Sequence, residues 1–151
     1  MKVSEFLTEE MVIPELKART KEAVLEEFST FLQDRGKIPD SRALSDILAA
    51  REALGSTGIG GGIAIPHGKL KGIPRMIIAF GRSGQGIDFD SLDGQPARLF
   101  FLLVAPEDAP GEHLKALAMV SRLMKNGKLK DALSRARDAK EINALIAKEE
   151  G

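Results

Sequence analysis

Over residues 21–34 the apolar positions Val24, Leu25, Phe28, Phe31 and Leu32 recur at helical spacing, with Thr20 placed to cap the start and Gly36 to end the run. A second helical stretch follows. Asp40 or Ser41 caps it, Ala43, Leu44, Ile47 and Leu48 face inward, and it extends to about Leu54. Ahead of both, Met11–Leu16 is a short apolar run containing Pro14, which suits an edge strand because proline removes a ladder donor. Beyond them the period changes. Ile63–Pro66, Arg75–Arg82 and Ala97–Ala105 read as strands. The last, ARLFFLLVA, is apolar throughout, as expected of a strand covered on both faces, and Asp93-Gly94 marks the turn before it. After Pro110 helical spacing returns. Leu114, Leu117, Ala118, Val120, Ser121, Leu123 and Met124 are predicted to share one face, and Leu129–Ala136 and Lys140–Glu149 to form two shorter helices. The order β-α-α-β-β-β-α-α-α predicts an α/β fold, a mixed sheet with helices packed on both faces.

The pattern holds no repeat, linker or low-complexity segment, so residues 1–151 read as a single domain, large enough for a real core. Basic and acidic residues balance at 22 each, which removes any global pull toward nucleic acid or an anionic membrane. No apolar run approaches the roughly 20 residues that cross a bilayer. The start, MKVSEFLTEE, carries acids where a secretory leader needs apolar residues, so membrane insertion is not expected and a cytoplasmic setting is. Absence of cysteine rules out disulfides and thiolate metal sites. With no tyrosine or tryptophan either, the two histidines, His67 and His113, stand out as nucleophiles of suitable pKa.

His67 ends the stretch GSTGIGGGIAIPHG (55–68). The glycines fail two nucleotide-binding patterns: a P-loop lacks its lysine, and a dinucleotide fingerprint meets Ile63 where glycine is needed, in a loop running from helix to strand. What remains is a loop whose backbone N–H groups can approach an anion, with Ser56, Thr57, Gly58 and Gly60 as the candidate phosphate cradle. Pro66 stiffens the entry to His67, and Gly68 is expected to leave space beyond the imidazole. A stiff, exposed imidazole beside such a loop suits a phosphoryl acceptor. On this segment alone, a tight turn with an incidental surface histidine is the simpler explanation of the residues. His113 lies near a helix start, where it can donate to a phosphoryl oxygen or simply face water. Arg51 ends the second helix, placed to neutralise a transferring phosphoryl group or to compensate the helix dipole. Neither histidine sits in a zinc-binding spacing, and Asp88, Asp90 and Asp93 lack the rest of a calcium loop, so no metal or other cofactor is expected. Lys69 and Lys71 read as a solvated rim.

Taken together, REALGSTGIGGGIAIPHGKL (51–70), IDFDSLDGQPARLFFLLVAPED (87–108) and EHLKALAMVSRLM (112–124) resemble the IIA domain of the bacterial phosphotransferase system, of the fructose/mannitol/nitrogen-regulatory type. The GSTGIG-x-GIAIPHGKL form, without a IIB or membrane segment, is most similar to the nitrogen-regulatory branch. The resemblance implies a three-layer α/β/α sandwich. It implies phosphorylation of His67, at Nε2, by a phosphocarrier of the HPr or NPr kind, with His113 supporting the phosphoryl group and Arg51 as the active-site arginine. It further implies phosphorylation-dependent regulation of target proteins such as a transporter or sensor kinase. The alternatives it leaves are passage of the phosphate to a separate IIB for sugar uptake, and a binding module for which phosphorylation is only the switch.

Overall fold

A computed structural model describes residues 1–151, the side chain of Pro110 excepted. After two 3₁₀ turns come β1 (Val12–Ile13), α1 (Lys21–Asp34) and α2 (Ser41–Ala53). Then follow β2 (Gly58–Gly60), β3 (Ile63–Ala64), β4 (His67–Leu70), β5 (Ile77–Ile87) and β6 (Ala97–Pro106), and finally α3 (Pro110–Leu123), α4 (Gly127–Arg135) and α5 (Ala139–Glu150). Both early helices start where their caps predict. The Thr20 hydroxyl accepts from the Ala23 N–H and the Asp40 carboxylate from the Arg42 N–H, each satisfying one of the donors left free at a helix start.

The sheet is mixed, ordered β1-β5-β6-β3-β2, with β4 also paired to β6. β1 is the predicted edge strand, parallel to β5 but only two residues long. The central strand, β6, buries every residue from Leu99 to Pro106, which requires cover on both faces. Phe80 meets Phe101 and Phe89 meets Phe100 edge to face, at centroid separations of 5.0 and 5.5 Å. The helices complete an α/β/α sandwich.

Three expectations need correction. The strand expected over Ile63–Pro66 is only β3, Ile63–Ala64, and a further strand not expected, β4, resumes at His67 along the same edge of β6 in the same register: Ile63 faces Leu99 and His67 faces Leu103. The interruption falls at Ile65–Pro66, where proline has no N–H to donate. Secondly, β2 forms inside the glycine run, antiparallel to β3, although its sequence carries no strand-forming side chain except Ile59. Thirdly, the inward face of α3 is His113, Ala116, Val120 and Met124, while Leu114 and Ala118 are exposed. The helix is rotated about one residue from the apolar reading, and the rotation turns His113 inward.

Candidate functional site

The break at Ile65–Pro66 sets His67 as the first residue of β4, and α2 lies directly on this strand. A Cβ on Gly68 would come within 2.7 Å of Ile47 Cγ2. Gly68 therefore does not leave open space beyond the imidazole; it lets α2 approach β4. That approach brings Arg51, in the last turn of α2, onto the histidine. Its Nε–H donates to His67 Nε2 at 3.2 Å, and Nη1 donates to the Gly55 carbonyl at 2.9 Å. The cation also sits at the negative end of the helix dipole.

The protonation of His67 follows from its partners. Nδ1 lies 2.8 Å from the Ile65 carbonyl, which only accepts, so Nδ1 carries the proton. Nε2 then holds the lone pair, to which Arg51 donates. Burial lowers the imidazole pKa below its ordinary value; the Ile65 hydrogen bond opposes this, Arg51 adds to it and Glu52 opposes it. The group is neutral and nucleophilic at pH 7.

His113, in the first turn of α3, places its ring 5.0 Å from that of His67, at an interplanar angle of 54°. It is 9% exposed, and its Nε2 is buried without a hydrogen-bond partner. Burial is the main cause lowering its pKa, followed by the charges of His67, Lys69 and Arg51. Lys69 and Lys71 are both exposed. His67, His113 and Arg51 thus come together from β4, α3 and α2.

The glycine loop behaves differently from the cradle expected of it. The Ser56 hydroxyl donates to the Phe89 carbonyl at 2.6 Å and accepts from the Gly58 N–H at 3.0 Å. Thr57 gives both its N–H, at 3.0 Å, and its hydroxyl to the Glu52 carboxylate. Gly60 pairs with Ile63 and packs against the Asp93 side chain. The hydroxyls of Ser56 and Thr57 and the N–H groups of Thr57 and Gly58 are thus engaged within the protein and brace the turn. Among the described residues, no group of three or more His, Asp or Glu side chains is placed to hold a metal ion.

Sequence reasoning passed over Glu52 and Lys21. Glu52 is 9% exposed and pairs with the Lys21 ammonium at 2.9 Å. A signal was present: Glu52 extends the inward stripe Leu44, Leu48 at intervals of four, and Lys21 begins the stripe continued by Val24, Leu25 and Phe28. A charge at a core position of each of two packed helices invites pairing.

The family model for the phosphoenolpyruvate-dependent sugar phosphotransferase system, EIIA 2, matches residues 5–149. The chain belongs to this EIIA family. An EIIA protein is a phosphotransfer component. The EIIA chain is 39% identical over 148 residues to a nitrogen regulatory protein of Bradyrhizobium diazoefficiens, covering 97% of this chain and 95% of the relative. It is 40% identical over 146 residues to a fructose-specific EIIABC component of Bacillus subtilis, covering 97% of this chain but 23% of that longer protein. Its fold matches the crystal structure of the nitrogen regulatory protein IIA-Ntr of Neisseria meningitidis, with a TM-score of 0.88, 33% identity, and coverage of 95% of this chain and 98% of that one. No helix among the described residues is long and apolar enough to cross a membrane.

Proposed function

We propose that His67 is the phosphoryl acceptor of this EIIA protein, and that its phosphorylation state regulates a protein partner. The observation that carries the reading is the pair of hydrogen bonds on one ring: Nδ1–H held by the Ile65 carbonyl, and the Nε2 lone pair facing the Arg51 guanidinium. In the transfer, the Nε2 lone pair forms a bond to phosphorus as the N–P bond of a phosphohistidine on an HPr- or NPr-like carrier breaks, its electron pair returning to the carrier ring. Arg51 moves from Nε2 to the phosphoryl oxygens, where a planar donor fork fits. The buried Nε2 of His113 supplies a further partner, and the Ile65 carbonyl stabilises the positive charge developing on the His67 ring. The product carries up to about −2 charge at the site, enough to change which surfaces bind it.

A protein partner is supported by Leu54, Leu92 and Leu114, which are 85, 78 and 67% exposed. Leu54 closes the helix bearing Arg51, Leu114 follows His113, and the Leu92 N–H donates to the Gly58 carbonyl. Exposed apolar side chains around a site suit docking of another macromolecule. Near-full-length likeness to nitrogen regulatory proteins favours a regulatory output; likeness to the fructose-specific relative supports the second reading, passage of the phosphate to a separate IIB in sugar uptake.

The test is incubation with phosphoenolpyruvate, enzyme I and HPr or NPr. His67 is expected to become labelled at Nε2, seen by ¹⁵N and ³¹P NMR, and the His67→Ala protein to stay unlabelled. Labelling of that variant would overturn the assignment. Rapid loss of label to a purified IIB favours sugar uptake. Pull-downs that recover different partners with free and phosphorylated protein favour regulation.

A further inference from the structure

The Glu52 carboxylate is buried next to the site, touches neither imidazole, and is held by more partners than a structural ion pair needs. Oε1 accepts from the Lys21 ammonium at 2.9 Å and from the Thr57 N–H at 3.0 Å, while Oε2 accepts from the Thr57 hydroxyl. Lys21 is the first residue of α1, Glu52 lies in the last turn of α2, and Thr57 leads into β2, so one carboxylate ties three segments. The turn enclosed between Glu52 and Thr57 contains Gly55, whose carbonyl receives Arg51 Nη1, and its N–H donates to the Glu52 carbonyl at 3.0 Å. Gly55, at φ +149, has no side chain of its own to anchor the turn. The bonds at either end of the turn anchor it.

We propose that Glu52 is a positioning residue for phosphoryl transfer: clamped by Lys21 and Thr57, it holds the turn whose Gly55 carbonyl aims Arg51 at Nε2 of His67. The inference rests on the reading of His67 as the acceptor. A buried ion pair is an expensive way to stabilise a fold, since removal of two charges from water offsets most of their attraction. Aiming a guanidinium is a different task. A misplacement of about an ångström in a reacting assembly costs on the order of a hundredfold in rate.

The experiment uses phosphoramidate as donor. Nε2 of His67 forms the new N–P bond as the donor's P–N bond breaks and ammonia departs with the electron pair, so no carrier surface enters the measurement. In the Glu52→Gln protein the limiting rate, followed by ³¹P NMR, is expected to fall about tenfold or more, with little change in the donor concentration giving half that rate. A second readout separates aiming from charge. Arg51 lowers the His67 pKa more than Glu52 raises it, while Lys69 on β4 and His113 on α3 are untouched by the substitution. Glu52→Gln made in the Arg51→Ala background shows the downward shift of the His67 midpoint that loss of the Glu52 charge alone produces; with Arg51 present, loss of aim opposes that shift, so it is expected to be smaller or reversed. A wild-type rate, or a midpoint shift equal with and without Arg51, overturns the proposal. Labelling that persists in His67→Ala would instead remove the reading beneath it. Should Glu52→Gln not fold because Lys21 keeps only its longer ion pair, to the exposed Asp90 carboxylate at 3.5 Å, the double variant Lys21→Met, Glu52→Leu removes both charges of the shorter pair. The same fall in rate is expected there, and a wild-type rate overturns the proposal equally.

Discussion

The two sides of His67 are built on opposite terms. On the α2 side the main polar groups are partnered: Arg51 bridges Nε2 and the Gly55 carbonyl, and the Glu52 carboxylate holds Lys21 and Thr57. On the α3 side His113 is buried with an unpartnered Nε2, and the helix start at Ala109 has no side-chain cap. Buried polar atoms are nearly always satisfied, and one left alone costs about 1–3 kcal/mol. On the proposed reading, the contrast separates a half of the site that is fixed in advance from a half whose hydrogen bond is completed only when an anion arrives. On that reading, α2 aims the nucleophile's electrostatic partner and α3 waits for the phosphoryl oxygens.

Breaking the prepared side gives the largest expected effect. Arg51→Ala removes the charge that would move onto the phosphoryl oxygens, and the transfer rate to His67 is expected to fall about a hundred- to a thousandfold. Arg51→Lys restores the charge without the fork that spans Nε2 and the Gly55 carbonyl, so recovery should be slight. Full recovery with lysine would reduce the prepared side to a simple point charge. The same side is sensitive to spacing. In Gly68→Ala the new methyl meets Ile47 Cγ2, and α2 must retreat from β4. A loss of about 1–3 kcal/mol in urea unfolding is expected from such overpacking, together with slower transfer. A stable variant with slow transfer would show that the helix moved without unfolding, and would sharpen the case that its position matters.

The difference between the two sides also explains what the amino-acid sequence made legible. Both early helices and the inner strand β6 follow from local periodicity and caps almost residue for residue, and β1 takes its expected edge position, though over Val12–Ile13 alone. The meeting of Arg51, His67 and His113 was legible only through resemblance, because three residues so far apart in the chain are joined by sheet register. β2 was illegible because a glycine run has no strand propensity; it forms only where β3 offers a partner. For a related reason the sequence did not show that the hydroxyls of Ser56 and Thr57, offered for an anion cradle, bond to Phe89 and Glu52 in the folded chain. Hydroxyls near an acceptor are taken by it, and the acceptors, Phe89 and Glu52, become neighbours only after folding. The face of α3 was misread because an apolar count favours Leu114 over His113, whereas the fold buries the imidazole and exposes the leucine.

Replacing the waiting group should separate stability from function. His113→Leu puts an apolar side chain where an unpartnered nitrogen is buried, so unfolding free energy is expected to rise by about 1 kcal/mol while phosphoryl transfer slows. If the variant is less stable and transfers normally, the α3 side is packing alone and the contrast between the two sides dissolves.

The smallest effect is on the pH dependence of stability, and its sign follows from the two imidazoles. Both have folded-state pKa values below the ordinary one, chiefly through burial. As pH falls through about 6.5 the unfolded chain takes up protons on His67 and His113 while the folded chain resists, so stability declines and levels off only below the folded pKa values. Above that range both states are neutral and the histidines contribute no slope. Urea unfolding at pH 8, 7, 6 and 5.5 should therefore show a decline confined to the lower values. His113→Leu should keep part of it, from His67, and His67→Ala the part from His113, altered by loss of the neighbouring ring. Stability that is flat or rises toward pH 5.5 in the wild-type protein would mean that the folded chain accepts these protons as readily as the unfolded one. The buried nitrogen of His113 would then already have a partner, and the difference between its side of the site and that of Arg51 would vanish.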